Sequence, residues 1–436
     1  MIKAEVFDHL LFEASPLDPC FFMKRETTPR SSAVDIDSEM DAPVFTTEPD
    51  DPSMVYTGRF VIVALYVDDL WVAGNWEQEV ERLKCRLTEC YQCDKFDPPS
   101  WFLGWKIEID EEGRTVKLSQ GRLIREAIDR FGLGNRKPRK TPVAPDHVFE
   151  SPDETCLLPK QRQVEFMGKL GVLNYLSTQV CAVVAYGVSR LGAFMQQADE
   201  HHMDAVDRIL VWLGAHADEG IWYCKSKLGR VVSLLAYSDA SYADKGQTGS
   251  GRRRSQSGIV ILLCGCLIHW KSVGQKTVAL STTEAELIAL SATAQEVMYF
   301  RRMLHFLGWE QQDATPVMED NTAAEAICSS EIATKRSRFI DVRYQYCKQM
   351  HADGELKVLR CDTKDMRADM FTKALPEVTL VKHWRSLCGG AAVDVVSAIA
   401  ATVGVLWTEA ELESPALFSV YKEPTNHHLL PDHGFD

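Results

Sequence analysis

Between Ser281 and Leu307 the chain carries its longest unbroken helical pattern, and no other stretch restricts the fold as strongly. Leu287, Leu290, Ala294, Val297, Met298 and Leu304 recur at three- and four-residue spacing, so one apolar stripe has to lie against a core. The opening residues, Ser-Thr-Thr-Glu-Ala-Glu, put Glu284 and Glu286 in the first turn. Ser281 with Glu284 and Thr283 with Glu286 both fit capping-box spacing, and acids suit a helix N-terminus in any case. Taken alone, the two glutamates read as caps.

Their neighbours change the weight. Upstream, Leu234-Leu-Ala-Tyr-Ser-Asp239 is an apolar run that ends in an acid, with Asp244 soon after. Ile259 to Leu263 and Leu267 to Trp270 read as two further strands joined through Cys264-Gly-Cys. Downstream, Pro316-Val-Met-Glu-Asp320 is a short apolar run that again ends in acids, before a helical Thr322 to Ile327. Arg367-Ala-Asp369-Met-Phe reads as one more helix start. Carboxylates on four separate elements are what a two-metal phosphodiesterase needs, because two divalent ions about 4 Å apart clamp the attacking and leaving oxygens. Hard oxygen ligands point to magnesium or manganese rather than zinc. Periodicity does not choose between Glu284 and Glu286.

From Ala236 to Leu375 the chain resembles the ribonuclease H domain of copia-type retrotransposon polyproteins. The resemblance rests on an ordered set: Tyr237-Ser-Asp-Ala, Ser257-Gly, Trp270-Lys-Ser, Gln275-Lys-Thr-Val-Ala-Leu-Ser-Thr-Thr-Glu-Ala-Glu, Glu319-Asp-Asn, Ile340-Asp-Val-Arg-Tyr and Ala368-Asp-Met-Phe-Thr-Lys-Ala-Leu. It implies that Asp239, Glu284, Asp320 and Asp369 are the catalytic, metal-binding acids, holding two Mg2+ or Mn2+ ions. Glu286 is then left with a capping or surface role.

Earlier, Arg59-Phe-Val-Ile-Val-Ala-Leu-Tyr66-Val-Asp68-Asp69-Leu-Trp-Val-Ala-Gly74 reads as a hairpin of two hydrophobic strands with adjacent acids at its tip. Asp alone would favour such a turn. Flanked this way, Tyr-Val-Asp-Asp resembles the palm hairpin of reverse transcriptases, which implies that Asp68 and Asp69 are metal-binding residues of a partial polymerase site. Phe102-Leu-Gly-Trp-Lys, Thr141-Pro142, Gly171-Val-Leu-Asn-Tyr-Leu176 and Arg208-Ile-Leu-Val-Trp-Leu213 extend the likeness through thumb and connection. No strand bearing a third palm acid is legible before Asp68, so polymerisation by this chain is not expected without fingers from other polyprotein fragments. The sequence departs from the family at Phe166-Met167, Thr178-Gln-Val-Cys-Ala, Arg338-Phe-Ile-Asp341, Gln345 and Ser241. Those losses of polar and basic residues bear on substrate grip more than on metal binding.

Net charge is −14, so any phosphate contact must come from local clusters: Arg136-Lys-Pro-Arg-Lys140, Arg252-Arg-Arg254 and Lys335-Arg-Ser-Arg338. Each reads equally as a solvated loop. Residues 31–53 hold seven acids and no Lys or Arg, too little apolar surface to fold, and are expected to be a disordered insertion that can be deleted with little loss. Thirteen cysteines include one Cys-x-x-Cys, Cys90 to Cys93, with nothing to complete a zinc site, and read as reduced thiols of an intracellular protein, cytoplasmic or nuclear. No signal peptide opens the chain, and Ala391 to Trp407 is too short and too interrupted to span a membrane.

The expected fold class is α/β (α+β): a partial polymerase palm and thumb region, then a ribonuclease H-like domain with a mixed central sheet flanked by helices. The expected division is 1–135 for the partial palm, 136–230 for a thumb or connection-like region, 231–376 for the ribonuclease H-like domain, and 377–436 for a tail of unassigned role. The expected activity is hydrolysis of the RNA strand of an RNA–DNA hybrid. The alternative is a non-catalytic nucleic-acid-binding or interaction remnant, or a decayed reading frame.

Overall fold

A computed structural model describes residues 6–32, 45–67, 69–91, 96–97, 100–110, 115–224, 232–242, 254–329, 342–388 and 418–421. Asp68, Asp244, Asp341, residues 33–44 of the acidic stretch, Cys93, Arg252, Arg253, Lys335 to Arg338 and Ala391 to Trp407 lie outside the described residues. The chain forms two compact units. One comprises residues 1–103 with 306–309 and 412–436, the other residues 104–305 with 310–411.

The first unit is built on an antiparallel sheet of β1 (Phe21–Pro29), β2 (Met54–Tyr66) and β3 (Asp69–Gly74), with Phe418–Tyr421 paired beside β3. Alternation decides which side faces inward: Val61 and Val63 of β2 are fully buried, and Leu70 and Val72 of β3 nearly so. Helix α1 (Glu77–Tyr91) covers that face with Leu83 and Leu87. Tyr66 pairs with Asp69, and Val67, which follows Tyr66 at the end of β2, takes a positive φ of 54°, as tight hairpin turns require.

The expectation of a disordered insertion fails over residues 45–53. The Phe45 ring lies 5.2 Å from Tyr56 and 6.0 Å from both Phe60 and Trp309, centroid to centroid. Its neighbour Thr46 donates its N–H to the Gly308 carbonyl at 2.7 Å, and Arg30 donates its own to Ser53 at 2.7 Å. Average composition hid this anchor, because one aromatic side chain supplies apolar contact that the flanking acids do not.

The second unit opens with antiparallel strands β4 (Trp105–Asp110), β5 (Thr115–Ser119) and, from later in the chain, β6 (Gly220–Cys224). Between β5 and β6 come α2 (Gly121–Arg130), α3 (Lys160–Gln179), α4 (Ala185–Gly192) and α5 (Glu200–Ala215). A five-stranded sheet follows, from β7 (Leu234–Ser241), β8 (Gln256–Leu263), β9 (Cys266–Gly274), β10 (Thr315–Glu319) and β11 (Leu356–Arg360), in the order β9-β8-β7-β10-β11. The first three strands are antiparallel, and β10 and β11 join parallel to β7. Cys264 and Gly265 turn the β8–β9 hairpin with φ of 51° and 81°. Helices α6 (Thr282–Phe306), α7 (Thr322–Ser329), α8 (Val342–Ala352) and α9 (Glu377–Cys388) complete the mixed α/β architecture. Among the described residues no helix is long and apolar enough to cross a membrane.

One apolar core runs from Ile124 of α2, through α3 to α5, to Tyr237, Val260, Phe371 and Trp384. The regions expected at 136–230 and 231–376 therefore share a core, and α9, beyond the last residue of the resemblance, is part of it. Polar ties cross the same seam: Trp270 donates its indole N–H to Ser177 at 2.7 Å, and Gln256 donates to the Ser189 hydroxyl at 2.9 Å.

Gly258 is where this unit is tightest. It pairs with Asp239, and a β-carbon there would lie 2.7 Å from both the Ala368 carbonyl oxygen and Thr372 Cγ2. Gly258→Ala is expected to destabilise by about 1–3 kcal/mol, as overpacking against backbone does. Urea or thermal unfolding checks this; an unchanged transition would show that the turn carrying Asp369 is free to move.

Candidate metal centre

Strand β7 is central and buried along its length as far as Ala240, so its alternate residues face different layers. Leu235 and Tyr237 enter the main core, whereas Ala240 packs on Ala285 and Ala289 of α6. Asp239 ends the apolar run at 3% exposure. The parallel register that pairs Tyr237 with Met318 brings Asp320, just past β10, level with Asp239. Buried Gln275 holds the first turn of α6 in place, donating to the Ala285 carbonyl at 2.8 Å and the Ser257 hydroxyl at 3.0 Å.

The acids that meet are Asp239, Glu286 and Asp320, each offering a carboxylate oxygen within 4.8 Å of the others. Asp369 stands beside them on the turn Arg367–Phe371, its carboxyl hydrogen-bonded to Asp239 and paired with Lys373 Nζ at 2.8 Å. Thr372 donates its hydroxyl to Asp239, and Thr363 donates to Asp320 at 2.9 Å.

Glu284, expected among the ligands, is not one of this group. Its Oε2 accepts the Leu280 N–H at 2.7 Å while its own N–H donates to Ser281 Oγ at 3.2 Å, a reciprocal N-terminal cap. Two residues along a helix turn through about 200°, so when one glutamate caps the end, the other faces β7. Glu286 is 7% exposed and accepts the Ala240 N–H. The structure thus brings Glu286, rather than the expected Glu284, beside Asp239 and Asp320. The signal available in the sequence was that Glu286 stands four residues before Leu290 and eight before Ala294, on the line of the buried stripe.

Burial, then Glu319, Asp239 and Asp320, push the Glu286 carboxyl up to about 10. Burial, then Asp239, push Asp369 up to about 7. Burial also raises Asp239, against the pull of Lys373 and Thr372. Glu319, to which the resemblance gives no ligand role, is fully buried and raised well above the usual carboxylate range, first by burial. Carboxyls at this density cannot all ionise without a compensating cation. Among the described residues, Glu286 Oε2 and Glu319 Oε2 have no hydrogen-bond partner. Clustered hard oxygens and an unpartnered buried carboxylate oxygen fit a divalent cation of the magnesium class.

A family model described as reverse transcriptase (RNA-dependent DNA polymerase) matches residues 45–145. A retrovirus-related Pol polyprotein from transposon TNT 1-94 of Nicotiana tabacum is 30% identical over 356 residues, covering 80% of this chain and 26% of that one. The corresponding polyprotein from transposon RE1 of Arabidopsis thaliana is 30% identical over 316 residues, covering 72% and 21%. This chain belongs to the copia-type Pol polyproteins. It spans about a quarter of the length of these relatives, 26% and 21%. Of solved structures, LC11-RNase H1 isolated from compost aligns at 16% identity over 32% of this chain and 92% of that one, with a TM-score of 0.25.

In this Pol segment the reverse transcriptase hairpin keeps Asp69 at the start of β3, where it joins no group of three ligating side chains among the described residues. Asp68 lies outside them.

The crowded acids make stability depend on pH. In the unfolded chain Asp369 and Glu286 return to ordinary values of 3.8 and 4.5, so the fold binds their protons more tightly. That contribution is complete below those values and disappears as pH rises through about 7 and then about 10. In EDTA, the melting temperature of the parent is expected to fall more steeply between about pH 6 and about pH 9 than that of Glu286→Gln. Glu284→Gln should keep the parent slope and lose about 1 kcal/mol at every pH, as for a weakened cap. Equal slopes in parent and Glu286→Gln would remove Glu286 from the cluster.

Proposed function

We propose that this cluster hydrolyses the RNA strand of an RNA–DNA hybrid. The observation that carries the reading is the convergence of Asp239, Glu286 and Asp320 within 4.8 Å, with Asp369 beside them, at one end of a mixed sheet. Asp239, Glu286, Asp320 and Asp369 would hold two divalent ions of the magnesium class. When bound, such ions supply Lewis-acid stabilisation of charge on the scissile phosphate and a more acidic water.

The protein's own part is positioning. Asp239 is fixed by the Thr372 hydroxyl and by its place on a strand with no freedom to shift. Glu286 is aimed by a helix whose first turn Gln275 ties to β8. Lys373, half-exposed at the rim, neutralises part of the cluster's charge and presents a cation on the side from which a phosphate would approach. Asp320, the least buried of the four, is the ligand most open to a substrate. Similarity to Pol polyproteins supports a nucleic-acid substrate, and the acids select phosphodiester hydrolysis among the chemistries open to it.

Asp320→Asn keeps the volume and removes one charge, so magnesium-dependent cleavage of a labelled hybrid should drop by at least about a hundredfold. The same substitution should raise the melting temperature in EDTA by relieving repulsion, and reduce the further rise that magnesium produces. Glu286→Gln should be as damaging to cleavage, and Glu284→Gln mild. Intact cleavage in Asp320→Asn, or binding of the hybrid with no cleavage by the parent, would defeat the proposal and favour a non-catalytic binder.

A further inference from the structure

The basic segment Arg136-Lys-Pro-Arg-Lys140 takes no part in the metal centre, yet it is not simply a solvated loop. It forms one wall of a groove of about 630 Å³ in the second unit, a volume in the range of ligand-binding pockets. Helix α5 supplies the facing wall with Asp204, Asp207 and Arg208, and Val143 and Val211 add apolar floor.

The two acids in the groove are already engaged. Asp207, 2% exposed, faces buried Lys169 at 2.7 Å and Arg136 at 3.1 Å. Asp204 lies 3.7 Å from the same Arg136. Lys137, Arg139 and Arg208 line the groove without a carboxylate in ion-pair contact among the described residues, although Asp146 acts on Arg208 electrostatically. Arg208 is locked by donating to the Thr141 carbonyl at 3.1 Å and the Thr141 hydroxyl at 3.2 Å, so the rest of its guanidinium edge is pre-aimed. Like cations gathered in a concave site repel one another unless an anion completes the set. A guanidinium held by its neighbours loses little freedom when it binds a phosphate. His147 and His201 line the same groove and add ring nitrogens as further donors.

We propose that this groove is a phosphate-binding site for a nucleic-acid strand, formed by Arg139, Arg208 and Lys137. The anion site stands on its own geometry; the choice of a strand as the source of the phosphate rests on the function proposed above. In a chain of net charge −14, three cations without a carboxylate in ion-pair contact in one groove are a concentrated attraction for a polyanion.

The test measures binding without chemistry. Full-length protein in EDTA is titrated into a fluorescein-labelled RNA–DNA hybrid across a range of salt, by anisotropy. Lys137→Ala/Arg139→Ala should weaken binding on the order of tenfold at moderate salt and flatten the log–log salt slope by about 1 per lost contact. Its melting temperature should not change, since both side chains are exposed. Arg208→Lys, which keeps the charge but not the fork held by Thr141, should also weaken binding. Asp204→Asn, which removes one negative charge from the groove and leaves Arg136 paired with Asp207 alone, should strengthen it. Unchanged affinity and slope in the double variant, or no binding of hybrid by the parent, overturns the proposal. So does equal, equally Arg139-dependent binding of poly-glutamate, which would make the groove a site for acidic protein. A nucleoside monophosphate that binds through Arg139 while hybrid affinity ignores it would assign the groove to free nucleotides instead. Loss of cleavage with hybrid binding intact would count against the metal centre's proposed chemistry alone.

Discussion

A carboxylate placed on a strand with no access to solvent is the constraint around which this molecule is arranged. Asp239 ends a run in which every residue is buried, with an antiparallel neighbour on one side and a parallel one on the other. Its charge has to be answered locally, because burial penalises an isolated ion by several kcal/mol. The fold answers with the Thr372 hydroxyl and with Asp369, which pairs with Lys373. It also worsens the problem by bringing Glu286 and fully buried Glu319 to the same place. An arrangement that concentrates like charge beyond what its own cations can balance is poised to take up divalent cations.

Such a site is only as rigid as the sheet beneath it. Strand β7 cannot slip, because a one-residue shift would turn Asp239 to the opposite face. The helices before the sheet in sequence brace its other edge. Trp270 and Gln256, on β9 and β8, reach the carbonyl of Ser177 and the hydroxyl of Ser189, while Trp384 of α9 donates to Glu219 at 3.1 Å. Helical region and sheet therefore share one core, and the strand ends that carry the acids inherit its rigidity.

Charge is distributed with the same economy. The overall balance is acidic, yet the groove between the basic segment and α5 has its acids already paired and its cations in excess. Buried Lys169, which also binds Glu165 at 2.6 Å, fixes Asp207 and so leaves part of the wall free of competing negative charge. Net charge alone describes neither this groove nor the acidic cluster, because screening makes each site answer mainly to charges within about 10 Å.

Much of this was legible from residues alone. The strands of the sheet, the tight Cys264-Gly265 turn, the long helix and the acids at the ends of apolar runs all follow from local periodicity, which acts over a few residues. The order of elements then left little room for another architecture. Three things were not legible. Glu284 and Glu286 satisfy the same capping rule, the spacing of Glu286 from Leu290 and Ala294 is a weak signal beside it, and packing of Ala285 and Ala289 on Ala240 decides which one turns inward. Glu319 reads as a strand-end acid like many others until the parallel pairing buries it. Phe45 lies in a stretch whose composition argues for disorder, and its anchor, Trp309, is far away in sequence. Local pattern specifies which side chains alternate or cap; which carboxylate meets which depends on contacts between residues remote in the chain, and those exist only once the sheet has closed.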